Sequence, residues 1–299
     1  MNLEMRIFQR LVESDAIQVR REPQDKAYWY TSSQPGPFYV NTQYLAGKEA
    51  SNMCLSKINQ ILSINTSLED RAIQIKQVII DLFNSNNQYK ESIYSLIEFL
   101  ERSANNQENI ISGGERRDWF FSIPIAVILN KPHMFLMKDG THTTLDNENR
   151  IINNVEAVLH IADIINSASS YKKYWIPILE KNNYPISRTL VVALRNYDGK
   201  KHLLDNNIEL LTPVEITEGI FDSAYKQGII NQFAYKEIIN YLSSPEEWIT
   251  VYLDSCKKYN LLSNIDEMEN KRAYQFLSNP KIKNKYPDLL DVVEKNIGR

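Results

Sequence analysis

The chain has 299 residues, of which 43% are apolar and 24% charged, with a formal net charge of −3. These values place it among ordinary globular proteins of one large or two smaller domains, and they provide no global basic field to steer it toward nucleic acid or an anionic membrane. The two cysteines, Cys54 and Cys256, have no metal-ligand spacing and fit a reducing, cytoplasmic setting. The N-terminus mixes acid and base within an amphipathic pattern, so neither a signal peptide nor a membrane span is expected.

In chain order, Leu3, Ile7, Leu11 and Val12 share one face of a predicted helix over 1–15. Residues 16–42 read as short strands and turns, punctuated by Pro35-Gly36-Pro37. Three apolar stripes at helical spacing predict helices across 43–104. From about 106, short apolar runs alternate with helical patterns. Ile110-Ile111 leads into Ser112-Gly113-Gly114, a helix covers about 119–130, and His133–Met137 is a strand followed by a Lys138-Asp139-Gly140 turn. Val155–Ile161 is a strand, a helix covers about 169–182, and Thr189–Leu194 is a strand. Such alternation predicts a parallel α/β sheet, whose ligands bind beyond the carboxyl ends of the strands. Three of those ends carry polar turns, at 112–118, 138–142 and 163–170. After Thr212-Pro213 the pattern is helical, with candidates at 214–227, 231–242, 245–259, 265–278 and 286–296. The expected division is therefore 1–212, with a hood segment at 1–42 and a helical segment at 43–105, followed by an all-α extension at 213–299.

The most informative stretch is 155–171. An apolar run meets one acid, Asp163, then the small polar residues Asn166, Ser167, Ala168, Ser169 and Ser170, and then a helix. A turn at a helix N-terminus presents backbone N–H groups and partial positive charge, which suits a phosphate. Asp163 would accept hydrogen bonds from sugar hydroxyls, or it simply caps the turn. Arg116 and Arg117 offer forked phosphate contacts, or they form surface ion pairs with Glu115 and Asp118. Lys138 is a further cation for an anionic ligand, or a solvated turn residue. His142 is a candidate general acid. Phe38 and Tyr39 would stack on a base or pack in a core. The cysteines have no visible activating partner.

The segment Val158–Ser170 resembles the phosphoribosyl-diphosphate signature of type I phosphoribosyltransferases. Three more segments resemble, in the right order, those of orotate phosphoribosyltransferases. Ser32–Asn41 looks like that family's base-side segment, Phe121-Ser122-Ile123-Pro124-Ile125-Ala126 like its pyrophosphate turn, and Phe135–Gly140 like the start of its mobile loop. The resemblance implies a type I phosphoribosyltransferase-like parallel sheet flanked by helices, with N-terminal hood elements and an all-α C-terminal extension. It also implies transfer of a 5-phosphoribosyl group from phosphoribosyl diphosphate to a nitrogen base, with Mg²⁺ as cofactor and no dedicated protein metal site, in a cytoplasmic homodimer. Catalytic roles fall on Asp163, Lys138 and His142. Substrate contacts fall on Asn166, Ser167, Ala168, Ser169, Ser170, Arg116, Arg117, Phe38 and Tyr39.

The chain departs from the pattern in places. Ala162 stands where the first of two acids is expected, Ala168 and Ser169 where two glycines are, and Phe121 where a lysine is. The alternative reading is therefore a non-transferring binder of nucleotide or phosphoribosyl diphosphate, or a defence-associated effector that retains the fold. A protein partner would dock through 213–299; neither a membrane nor nucleic acid is expected as a partner.

Overall fold

The computed structural model describes residues 1–103, 107–263 and 265–297. The chain forms two compact units. The first comprises Met1–Ala16 and Asn41–Thr217, and the second comprises Ile17–Val40 and Glu218–Arg299. No helix among the described residues is long and apolar enough to cross a membrane.

The first unit is built on a sheet with strand order Glu209–Leu211, Ile186–Leu194, Val158–Ile165, Ile110–Gly114, His133–Leu136, His142–Leu145, and Val214–Glu215 also pairs with Ile186–Leu194. All pairings are parallel except that of His142–Leu145 with His133–Leu136. The parallel strands read as near-continuous apolar runs because both faces are covered. One face holds the helix Trp119–Ile128, in which Trp119, Phe120, Phe121, Ile123 and Ile125 are fully buried. Helices Leu68–Ser85 and Asn87–Glu101 pack behind it. On the other face, Tyr171, Trp175, Ile176 and Leu179 cover Ala162, Val191 and Leu194.

After Ile110–Gly114 the chain runs outward through His133–Leu136 and His142–Leu145. It then crosses back to place Val158–Ile165 on the opposite side of Ile110–Gly114. The strand order reverses between those two strands, which opens a crevice at their carboxyl ends.

The second unit gathers helices Glu218–Lys226, Gln232–Ser243, Pro245–Tyr259, Glu267–Leu277, Pro280–Lys283 and Pro287–Ile297. Its strands pair antiparallel, Ile17–Val19 with Phe38–Val40 and Tyr28–Trp29 with Pro35–Gly36. Ala27 and Trp29 are buried in one core with Trp248, Tyr252, Leu277 and Leu290. Arg20 is buried, ion-paired to Glu237, with its guanidinium 5.0 Å from the Tyr252 ring centroid. Asp266 accepts from Glu269 N–H at 2.8 Å, and Glu269 accepts from Asp266 N–H in return, closing a capping box. Asp266→Ala is expected to cost about 1 kcal/mol, read as a lower urea midpoint for the second unit.

The parallel sheet, the three helices between 48 and 101 and the C-terminal helices agree with the sequence expectations. Four features differ. Residues 17–40 do not join the first unit, because Ala27 and Trp29 are buried among helices beyond 245 and Phe38 against Phe221 and Tyr241, and the boundary falls at 217/218. The strand expected at 155–161 is Val158–Ile165, so Asp163 lies inside it. Residues 142–145, for which no strand was expected, form an edge strand. The expected mobile loop after Lys138 is a tight turn closing that hairpin, with Gly140 at φ 91°.

Candidate functional site

The reversal crevice holds a cavity of about 320 Å³ lined by Glu115, Arg116, Arg117, Asp118, Lys138, Asp163, Ile164, Ser170 and Trp175. Its floor comes from the ends of the two central strands, and its wall from the turn between Gly114 and Trp119. Glycine is required at 114 because Trp175 crosses it. A Cβ there would lie 2.1 Å from the indole. A Cβ at Gly113 would meet Ser122 Oγ at 2.0 Å.

Asp118 ties the turn to the strand. Its carboxyl oxygens accept from Asp163 N–H at 2.9 Å and from Gly114 N–H at 3.2 Å. The Asp163 carboxylate accepts from Ile164 N–H at 2.5 Å. Burial raises both pKa values. Asp118 is pushed well up by desolvation and then by the Asp163 charge, whereas the nearby Arg117 guanidinium restrains the rise at Asp163.

Beneath the pair lies a buried polar chain. His160 Nδ1 is 2.9 Å from Ser112 Oγ, Thr189 Oγ1 donates to the His160 carbonyl at 2.8 Å, and Tyr171 Oη is 2.6 Å from Thr189 Oγ1. Desolvation pulls the His160 pKa down to about 3, so the ring is neutral. His133 is likewise buried and neutral, with Nε2 2.8 Å from Ser122 Oγ. Neither ring lines the cavity.

Of the residues singled out in the sequence, the fold brings Asp163, Arg116, Arg117, Lys138 and Ser170 together at the cavity. Arg117 and Lys138 are exposed, and Arg116 reaches Asn59. Lys138 N–H donates to Glu115 at 3.1 Å, joining the hairpin turn to the cavity wall. Asn166, Ser167 and Ser169 are exposed on the following turn without lining the cavity. Ala168 is buried at φ 53°, a left-handed conformation suited to glycine.

His142 does not line the cavity. It packs edge-on against Tyr184 with ring centroids 5.5 Å apart, and partial burial lowers its pKa. Phe38 and Tyr39 lie in the second unit. Phe38 is buried against Phe221 and Tyr241, and Tyr39 stacks on Tyr28. The segment 121–126 is helix rather than a pyrophosphate turn, with Phe121 fully buried, so any diphosphate cation must come from Arg116, Arg117 or Lys138. Asp118 is not a surface ion-pair partner but a buried strut. Sequence reading missed it together with Glu115 and Trp175. The available signal was Gly113-Gly114 between an apolar strand and a charged cluster.

Both thiols are buried, and desolvation pushes Cys54 and Cys256 up to about 12, so neither is a nucleophile. Among the described residues no group of three His, Cys, Asp or Glu side chains forms a cation cage. Mg²⁺ needs no such cage when it arrives on ligand phosphates, since one or two carboxylates complete its protein contacts. Glu115, at the cavity wall, fits that requirement.

No protein-family model matches the chain, and no curated protein is significantly similar in sequence. Solved structures do match. The UMP synthase of Leishmania donovani superposes with a TM-score of 0.50 at 11% identity, covering 80% of this chain. This chain spans only 41% of that protein's length. Orotate phosphoribosyltransferase from Francisella tularensis gives 0.49 at 14% identity, covering 79% of this chain and 96% of that one. The Aeropyrum pernix orotate phosphoribosyltransferase gives 0.41 at 14%, covering 73% and 98%. The match at a TM-score of 0.50, together with the strand order, shows a shared fold, the type I phosphoribosyltransferase-like sheet expected from the sequence.

Proposed function

We propose that the crevice binds phosphoribosyl diphosphate and that the protein transfers its 5-phosphoribosyl group to a nitrogen base, releasing pyrophosphate. The observation that carries this reading is the convergence of Asp163 with Arg116, Arg117 and Lys138 on one cavity at the strand-order reversal. The three cations suit a diphosphate, with the arginines as forked donors. Asp163 sits where it meets ribose hydroxyls and faces the positive charge that develops on the sugar as the leaving group departs. The 5′-phosphate would rest at the helix start near Ser170. Mg²⁺, held through Glu115 and ligand oxygens, supplies charge neutralisation at the diphosphate.

The test is pyrophosphate release from phosphoribosyl diphosphate and Mg²⁺ across a panel of pyrimidine and purine bases. Base-dependent release is expected. Ala162 and the tight 137–141 turn favour a second reading, binding without transfer. Saturable binding of phosphoribosyl diphosphate with no release from any base would establish that reading, and absence of binding would overturn both.

A further inference from the structure

Resting on the sugar-phosphate reading of this cavity, we propose that Asp118 is the positioning residue of the ribose subsite. It supplies, from the turn after Ile110–Gly114, the second carboxyl that the Val158–Ile165 strand lacks at Ala162.

The strand itself has no place for a second acid. Ala162 is 3% exposed and belongs to the apolar cluster of Tyr171, Trp175, Leu179 and Val191. A carboxylate there would be desolvated within that apolar cluster. Asp118 reaches the same strand end from the neighbouring strand. It lines the cavity, is 7% exposed, and contacts the backbone N–H of both Gly114 and Asp163. It thereby locks the cation-bearing turn to the sugar-facing strand, so that Arg116, Arg117 and Asp163 keep a common frame.

Its second action is on Asp163 directly. Asp118 Oδ1 accepts from the Asp163 N–H at 2.9 Å and so fixes the backbone that carries the Asp163 carboxyl at the cavity lining. His160 Nε2 lies 3.8 Å from Asp118 Oδ2 on a neutral ring, so it brings no positive charge to the pair. Asp118 therefore acts through Asp163 and through the turn rather than by touching the reacting carbon.

The test uses the full chain and two probes, ribose 5-phosphate and 2-deoxyribose 5-phosphate, titrated calorimetrically. Wild type is expected to prefer the ribose form by at least tenfold. Asp118→Ala is expected to weaken ribose 5-phosphate binding at least tenfold and to flatten that preference below threefold. In Asp118→Asn, whose amide oxygen still accepts from the Asp163 N–H but whose NH2 cannot accept from the Gly114 N–H, most of the preference is expected to return. Should Asp118→Ala not fold, Asp118→Ser takes its place, because its hydroxyl keeps one backbone contact. A folded Asp118→Ala or Asp118→Ser chain that keeps the wild-type preference overturns the assignment, since a merely structural role would weaken both sugars equally. Failure of wild type to bind either sugar overturns the underlying reading, and the assignment falls with it.

Discussion

Asp163→Ala is expected to reduce pyrophosphate release by about 10²–10³-fold, the range found when one preorganised electrostatic contact to a transition state is removed. Stability is expected to fall by about 1–3 kcal/mol, because the Ile164 N–H loses its acceptor. The two parts have different causes. Asp163 lies inside the strand, buried, accepts from the Ile164 N–H and donates its own N–H to Asp118. In that low-dielectric position a negative charge acts strongly on a developing cation. Asp163→Asn keeps the shape and loses the charge, so it should behave like the alanine variant in turnover. Retention of more than a tenth of wild-type release in Asp163→Ala, measured on folded protein, would remove Asp163 from the mechanism.

The second large effect is on stability, at the opposite ends of the strands. Glu108→Ala is expected to cost about 3–5 kcal/mol, the usual consequence of stranding one member of a buried ion pair. Glu108 and Arg188 are each about 5% exposed. The guanidinium meets the carboxylate through two parallel bonds, Nε to Oε1 at 2.7 Å and Nη2 to Oε2 at 2.8 Å. Arg188 is anchored in the long strand Ile186–Leu194, so its charge cannot follow the lost partner to water. The loss should appear as a Tm lowered by roughly 10 °C. A Glu108→Ala/Arg188→Met pair should recover most of it, because apolar replacement of both partners removes the uncompensated charge. A single variant within 1 kcal/mol of wild type would show that water reaches Arg188.

The sheet was legible in the sequence because parallel strands buried on both faces read as unbroken apolar runs, as in Val158–Ile165 and Thr189–Leu194. The helices between 48 and 101 were legible from one-sided apolar stripes. His142–Leu145 was not, because an edge strand rich in threonine has no such run. At the site, Asp163, Arg116, Arg117 and Lys138 could be read from charge set against strand ends. Asp118 could not, since its role depends on two backbone N–H groups, one of them 45 residues away. His142 and Phe38 were misplaced because alignment to a familiar motif carries no information about which way a side chain faces. The segment 121–126 matched a turn in letters while its apolar residues specified a buried helix.

The path of the chain through its two units sets the terms for dissecting the protein. Residues 17–40 leave the first unit and return to it, and Asn41 N–H donates to the Ala16 carbonyl at 2.7 Å where they rejoin. Structurally this is an excursion whose two ends already touch. A truncation after Thr217 alone would keep the excursion and remove the helices that cover Ala27 and Trp29, leaving an uncovered apolar hairpin prone to self-association. A well-behaved minimal sheet unit calls for two cuts made together: deletion of 218–299, and replacement of 17–40 by a one- or two-glycine bridge from Ala16 to Asn41.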